Sequence, residues 1–399
     1  MKHSRTLSGA KLHSSIYMHV CFALTSPFAL NAFVAPAIRA LLARGDSVTV
    51  IVNAGAGNLV EDIRGDIEIV DLEIARMIAP LRDLAALRAL FHLFRARRFD
   101  IVHSVTPKAG LLAMMAARLA GVPIRIHTFT GQVWATRRGA MRWLLRTLDW
   151  LLAKCASALL VDSASQLDFL SDEKIAAKER LTVLASGSIC GVDTNRFKPM
   201  PQARERVRAE LGLPISAVLI LYVGRMHSDK GLCELVQAFT SVAEGFPDTH
   251  LLLVGPDEGG LKSALDFAGT SRLRIHLVGL TDEPERYMAA ADLFCLPSYR
   301  EGFGLSLIEA AAAGLPSVAS RIYGLTDAVV DGVTGLLVSP KNVNALAQAL
   351  ELLLSKPELR SQMGQAARQR AEQEFSQGIV VKAWLAFYEK QLSRKSIKP

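Results

Sequence analysis

Two carboxylates and two cations stand in this chain at spacings that suit the handling of a sugar phosphate. Glu301 and Glu309 lie eight residues apart in SYREGFGLSLIEAAAAGLP, residues 298–316. Gly302 and Gly304 let the backbone between them approach a ligand closely. The apolar stretch that follows reads as a helix, and the free N–H groups at its start favour an anion such as a diphosphate. Glu309, further along that helix, is placed to accept two hydrogen bonds from a ribose diol, as the acid of a dinucleotide fold does. Glu301, at the lip of the loop, is free for another part of the same ligand, and a sugar hydroxyl is the natural partner. The second constellation is YVGRMHSDKG, residues 222–231, which ends a strand and opens a helix. Arg225 and Lys230 stand five apart in it. A two-pronged guanidinium and a point-charge ammonium can share one anion, and two cations on a diphosphate also stabilise it as a leaving group. Surface glutamates flanking a core helix, and solvated loop cations, are the plainer readings of these residues. The strand–loop–helix context around both argues against them. His227 reads as an exposed residue without a role.

These residues need strands to present them. The chain alternates β-branched runs with helical spacing: YMHVCFAL (17–24), SVTVIVN (47–53), DIEIVDL (66–72), FDIVHS (99–104), PIRIHTFTG (123–131), ALLVDSAS (158–165) and LTVLASG (181–187), with helices between, the first expected over residues 33–44 and stopped by Gly45. A second series follows: AVLILYVG (217–224), THLLLVG (249–255), LRIHLVG (273–279), DLFCLPS (292–298) and PSVAS (316–320). Such alternation predicts right-handed crossovers and parallel sheets, with ligands beyond the carboxyl ends of the strands. His103, His127 and Asp162 fall near strand ends and are candidates by position. The fold class expected is α/β with two Rossmann-like domains facing across a cleft. The expected boundaries are a basic tail at 1–15, an N-terminal domain at 16–188 and a linker at 189–201. A C-terminal domain at 202–371 precedes a closing helical segment at 372–399, whose Trp384, Phe387 and Tyr388 suggest docking on the first domain.

The totals agree with this division. The chain has 399 residues, enough for two cores, and a formal charge of +8. Residues 1–198 carry 25 Lys and Arg against 16 Asp and Glu, and residues 199–399 carry 21 against 22. The basic character belongs to the first half, which should meet something anionic. Five scattered cysteines without a Cys-x-x-Cys indicate neither a disulfide framework nor a zinc site. No apolar run reaches the roughly 18 residues of a membrane span. Lys2, Arg5 and Lys11 before residues 16–24 mimic a short signal peptide, but His19 interrupts the run and no small-residue cleavage site follows, so the cytoplasm is the expected location.

With GRMHSDKG, LVG, DLFCLPSYREGFGLSLIEAAAAGLP and DGVTGLLV in view, the chain resembles the retaining, nucleotide-sugar-dependent glycosyltransferases of family 4, which have the GT-B architecture. The resemblance begins near residue 16 and covers nearly the whole chain. Glu301 and Glu309 match the family's Glu-x7-Glu. The resemblance implies that Glu301 contacts the donor sugar and Glu309 the ribose, and that Arg225 and Lys230 hold the diphosphate. It also implies that the backbone of Gly302, Phe303, Gly304 and Leu305 lines the donor pocket, and that residues 280–281 lie near the base. His127, in HTFTGQVW, takes the place of a histidine that commonly faces the donor sugar; a structural histidine is the rival reading, and His103 reads as structural. Many relatives carry Gly-Gly after the first strand. Here the segment is TSPFALNAF (25–33), where only the hydroxyls of Thr25 or Ser26 are at hand.

The expected activity is transfer of a sugar, with retention, from a UDP-sugar, or second a GDP-mannose, to a hydroxyl of a lipid-linked saccharide in surface-polysaccharide assembly. No metal and no other cofactor is expected, because Arg225, Lys230 and the helix start can hold the charge. WATRRGAMRWLLRTLDWLLAKC (134–155), with Arg137, Arg138, Arg142, Arg146, Trp143 and Trp150, suits contact with the inner membrane surface, and Arg95, Arg97 and Arg98 extend the basic patch. A core helix with a solvated basic edge is the alternative. Nucleic acid is not expected as a partner, because none of the usual modules is visible. A sugar-nucleotide epimerase of the same architecture and a non-catalytic nucleotide-sugar-binding module are the alternative functions.

Overall fold

The computed structural model describes residues 17–57, 59–75 and 79–396. The basic tail at 1–15 lies outside the described residues. Seven parallel strands form the first sheet: β1 (His19–Ala23), β2 (Ser47–Val52), β3 (Glu68–Asp71), β4 (Ile101–Ser104), β5 (Ile124–Phe129), β6 (Ala158–Val161) and β7 (Leu181–Val183), in the spatial order β3-β2-β1-β4-β5-β6-β7. Six form the second: β8 (Val218–Val223), β9 (Thr249–Val254), β10 (Ile275–Val278), β11 (Leu293–Leu296), β12 (Ser317–Ser320) and β13 (Gly335–Val338), in the order β10-β9-β8-β11-β12-β13. Strands such as VLILYV and LFCL are apolar throughout because helices cover both faces of a parallel sheet. Both sheets therefore have the doubly wound form, and the expected α/β class with two Rossmann-like domains holds.

In each sheet the strand order reverses once, between β1 and β4 and between β8 and β11. Crossover helices leave opposite faces at such a point, and the loops that follow the two strands flank an open crevice. β8 and β11 pair directly, Leu293 with Ile220 and Phe294 with Leu221. Loops 224–231 and 297–304, far apart in sequence, are thereby set side by side.

Three corrections to the sequence reading follow. Residues 335–338, quoted only as a motif, form the edge strand β13. The helix expected over residues 33–44 begins earlier, with a turn at Pro27–Ala29 and a widened π turn at Leu30–Val34 before the regular helix Ala35–Ala43. Ser26 accepts the Ala29 N–H at 3.4 Å, so its hydroxyl serves as a helix cap. Third, the basic cluster around residue 140 is smaller than its sequence suggests. Arg142 and Arg146 both bind Glu173, and Arg97 pairs with Glu68. Trp134 is buried, with its indole N–H on Asp149 at 2.7 Å.

The chain crosses between the domains twice. Gly191 and Val192 carry it outward, and Phe375 to Gln377 bring it back. The two crossings hydrogen-bond to each other, Val192 N to Phe375 O and Gln377 N to Val192 O, both at 2.8 Å. The last helix, Gln377–Ser396, then buries Val380, Trp384, Phe387 and Tyr388 in the core of the N-terminal domain. Trp384 stacks on His103, whose Nδ1 meets the Tyr388 hydroxyl at 2.5 Å and whose Nε2 meets Thr128 at 2.7 Å. His103 is thus a structural residue that receives the returning helix.

Candidate active site

The crevice between β8 and β11 gathers the C-terminal candidates. Lys230 closes the short turn Ser228–Lys230 at the end of the first loop, just before the helix Leu232–Ala243. Gly231, at φ +69°, makes the bend; a Cβ there would stand 2.1 Å from the Pro297 carbonyl oxygen. Only glycine lets the two loops come this close, and the closeness brings the Lys230 ammonium to 2.5 Å from the Glu301 carboxylate. Ser298 donates to the same carboxylate oxygen at 2.9 Å. Both charges are largely shielded, with side chains 14% and 16% exposed. The pair is stronger than a surface ion pair, and it leaves the second oxygen of Glu301 without a protein partner among the described residues.

Arg225 stands in the same loop, held by Met226, whose N–H bonds the Pro256 carbonyl at 2.8 Å, and by the Tyr222 hydroxyl on its own carbonyl. Its guanidinium meets Glu258 at 2.5 Å in a half-exposed pair. Such a pair contributes roughly 0–1 kcal/mol, so an arriving anion can take Arg225 from Glu258 at little cost. His227, read from sequence as merely exposed, caps the turn: its Nδ1 bonds Asp229 at 2.7 Å, and Asp229 in turn holds Arg300 at 2.7 Å, next to Glu301. Ser298, Glu258, Asp229 and Arg300 were not singled out by sequence. Ser298 and Arg300 lay inside the quoted motif, but nothing in their spacing distinguishes them; the partnerships of Glu258 and Asp229 depend on contacts between loops.

Gly304, at φ +79°, starts the helix Leu305–Ala312. Phe303 is buried against Phe375 at 5.2 Å between ring centres, so its side chain belongs to the core and only its backbone can face a ligand. Leu305 is partly buried and touches the cores of both domains. Glu309, about one turn into that helix and partly buried, has a carboxylate with no hydrogen-bond or ion-pair partner among the described residues. Burial pushes its carboxyl up to about 7, Arg196 lowers it and Glu285 raises it further. A group in that state gains from any donor that supports its charge.

The N-terminal domain meets this loop directly. A Cβ on Gly302 would stand 2.2 Å from the Thr130 carbonyl and 2.8 Å from Asp162 Oδ2. Thr130 and Gly131 follow β5, and Asp162 follows β6. Asp162 is buried, its Oδ1 has no partner, and burial pushes its carboxyl up to about 8. His127 lies deeper. It is buried in β5 beneath the helix Pro107–Leu119, where Gly110 makes room for its ring, and its Nδ1 meets the Ser104 hydroxyl at 2.8 Å. Burial lowers it to about 3, so the ring stays neutral. Its ring contacts to Ser104, Gly110 and Phe129 all lie within its own domain.

Among the described residues no three His, Cys, Asp or Glu side chains are grouped to hold a metal ion, and no helix is long and apolar enough to cross a membrane.

Comparison with known proteins agrees with this geometry. Residues 203–370 match the family described as Glycosyl transferases group 1, and residues 29–187 match the Glycosyl transferase 4-like domain. The capsular polysaccharide biosynthesis glycosyltransferase CapM of Staphylococcus aureus is 30% identical over 321 residues, covering 78% of this chain and 83% of that one. The UDP-Gal:alpha-D-GlcNAc-diphosphoundecaprenol alpha-1,3-galactosyltransferase of Escherichia coli is 28% identical over 282 residues, covering 69% and 72%. Anabaena HepE, solved in complex with UDP and glucose, shares the fold, with a TM-score of 0.76 at 19% identity, over 94% of this chain and all of that one. A doubly wound domain with its acid–base pair at the switch point, together with these matches at both halves of the chain, leads to one conclusion: the chain belongs to the group 1, family 4-type glycosyltransferases of the GT-B fold, and it is a glycosyltransferase.

Proposed function

We propose that this glycosyltransferase moves a sugar, with retention, from a UDP-sugar to a hydroxyl of a lipid-linked saccharide in cell-surface polysaccharide assembly, with GDP-mannose as the second choice of donor. The Lys230–Glu301 pair beside Arg225 at the β8/β11 crevice carries the reading, because it sets a carboxylate with one free oxygen in contact with one cation and near a second, in the loops that open two helices. In this reading Lys230 and Arg225 take the diphosphate, Arg225 exchanging Glu258 for it. Glu301 keeps Lys230 on one oxygen and offers the other to a hydroxyl of the transferred sugar. Glu309 accepts the ribose diol, and the backbone of Gly302–Leu305 lines the pocket. His127, neutral and with Nε2 unbonded among the described residues, offers that nitrogen to a sugar hydroxyl.

The reaction forms a bond between the acceptor oxygen and the anomeric carbon on the face from which the nucleotide departs. The bond from that carbon to the diphosphate oxygen breaks, and the acceptor's proton passes to the departing diphosphate. The two cations stabilise the charge that develops there. No metal is needed for this, and activity should persist in EDTA; complete loss on chelation would count against it. The named activities of CapM and of the diphosphoundecaprenol galactosyltransferase support a polysaccharide precursor as acceptor. Trp143 and Trp150, 66% and 43% exposed on the helix Gly139–Cys155, with exposed Arg137 and Arg138 at its start, support a peripheral position at the cytoplasmic membrane face.

The test is a panel of UDP- and GDP-sugars offered with membrane lipid extract, read by mass spectrometry. One donor should yield a glycosylated lipid. Conversion of a donor in the absence of any acceptor, followed by NMR, would point to an epimerase instead. Lys230→Ala and Glu301→Ala should each reduce turnover by about 100-fold or more; unchanged rates in both would defeat the site assignment.

A further inference from the structure

We propose that residues 162–165 of the N-terminal domain are a positioning element for the donor loop: Ser163, by its bond to Gly302, and Ser165, anchored on Asp327 and tied to Gly324, hold Gly302, and through it Glu301, from the opposite side of the cleft. The proposal rests on the functional reading above, in which that loop holds the donor sugar.

The contacts converge on one peptide. The Ser163 hydroxyl donates to the Gly302 carbonyl at 3.4 Å. Asp162 and Thr130 lie against the Gly302 Cα so closely that no side chain fits there. On the far side stands Gly324, which follows β12; a Cβ on it would come within 2.5 Å of the same Gly302 carbonyl. Gly324 is in turn tied back to the N-terminal domain, its N–H donating to the Ser165 hydroxyl at 2.7 Å. The donor loop is therefore clamped between two segments that are joined across the domain boundary.

The anchor is charge-assisted. The Asp327 carboxylate accepts the Ser165 hydroxyl and, at 3.3 Å, the Ser165 N–H. Ser165 lies in the first turn of the nine-residue helix Ala164–Asp172, which Ser163 caps. A carboxylate from the other domain thus sits where unpaired N–H groups and the helix dipole favour it. Ring stacking widens the contact. Tyr323 lies on Phe169 at 4.4 Å and 16°, Phe169 on Trp134 at 5.3 Å and 20°, and the Tyr323 hydroxyl accepts the Gln132 N–H at 3.4 Å. Nothing in this set reaches Arg225 or Glu309, so it governs the sugar end of the ligand and not the nucleoside end.

The experiment compares Ser165→Ala, Asp327→Ala and the conservative Ser165→Thr with the wild type. The readouts are UDP affinity by calorimetry, release of UDP from the UDP-sugar with lipid extract present, melting temperature, and the radius of gyration of the ligand-free protein by small-angle X-ray scattering. In both alanine variants kcat should fall by about 30-fold, the scale of a lost charge-assisted hydrogen bond. UDP affinity should stay within about twofold, the melting temperature should hold, and the radius of gyration should rise as the cleft opens. Ser165→Thr, which keeps the hydroxyl, should restore kcat and compactness. Wild-type kcat in Asp327→Ala, or a loss of kcat matched by equal losses of UDP affinity and melting temperature, would overturn the proposal. If the wild type bound no nucleotide at all, the functional reading would fail, and an unchanged radius of gyration in Asp327→Ala would then overturn the clamp as well.

Discussion

At the level of single residues, Glu309 is the group whose state decides most. Its carboxyl titrates near 7 in the free protein because burial disfavours the charge and no protein donor supports it. In its proposed role, a ribose diol donating to it would lower that value in the complex. Binding therefore takes up the ionised form. Affinity for a UDP-sugar should be full above about pH 7 and should decline as pH falls through that value, where the proton must first be displaced. The sugar nucleotide is the right probe, because its diphosphate has no proton to lose in that range. Glu309→Gln should weaken binding by about 10-fold and remove the pH dependence; a wild-type affinity that is flat from pH 5.5 to 8 would show that Glu309 does not meet the ligand. The strand–loop–helix setting of Glu301 and Glu309 was legible in the sequence, since a Gly-Phe-Gly turn between an apolar run and a helical stretch marks a loop that opens a helix. The partners were not. Lys230 and Glu301 are 71 residues apart, and their meeting is set by the pairing of β8 with β11, which spacing alone does not give.

At the level of elements, the loops are set by glycines that tolerate no replacement. Gly231→Ala places a methyl group 2.1 Å from a carbonyl oxygen at a positive φ, so loops 224–231 and 297–304 must part. The expected result is a lower melting temperature together with loss of UDP binding, because Lys230 leaves Glu301. Gly212→Ala, also at positive φ but with nothing within 4 Å of the added carbon, is the control. It should cost on the order of 1 kcal/mol of stability and leave nucleotide affinity unchanged. Strand and helix alternation was readable because buried parallel strands are apolar end to end. β13 escaped because its four residues follow a tight turn at Asp331 and look like loop. Of the basic helix Gly139–Cys155 only the charge was legible: that Glu173 pairs with Arg142 and Arg146 depends on the packing of a separate segment.

At the level of the whole molecule, the N-terminal domain is discontinuous. Trp384 and Tyr388 fill its core from the far end of the chain, and Trp384 is 2% exposed. Trp384→Ala should destabilise that domain by about 3–5 kcal/mol. Two calorimetric transitions should separate, the N-terminal one moving down and the UDP-stabilised C-terminal one staying in place. An unshifted N-terminal transition would show that the last helix is an appendage.

The paired crossings at Val192 and Ser376 have an effect on biogenesis. Residues between them form one contiguous unit whose core needs nothing from the last helix, whereas β1 to β7 need residues 380–388 to complete theirs. The nascent N-terminal half therefore remains unfinished until that helix has emerged, with its hydrophobic seat for Trp384 uncovered. That interval is when a chaperone would be needed, and a released chain cut short after residue 376 should hold a protected C-terminal domain beside a protease-sensitive N-terminal one.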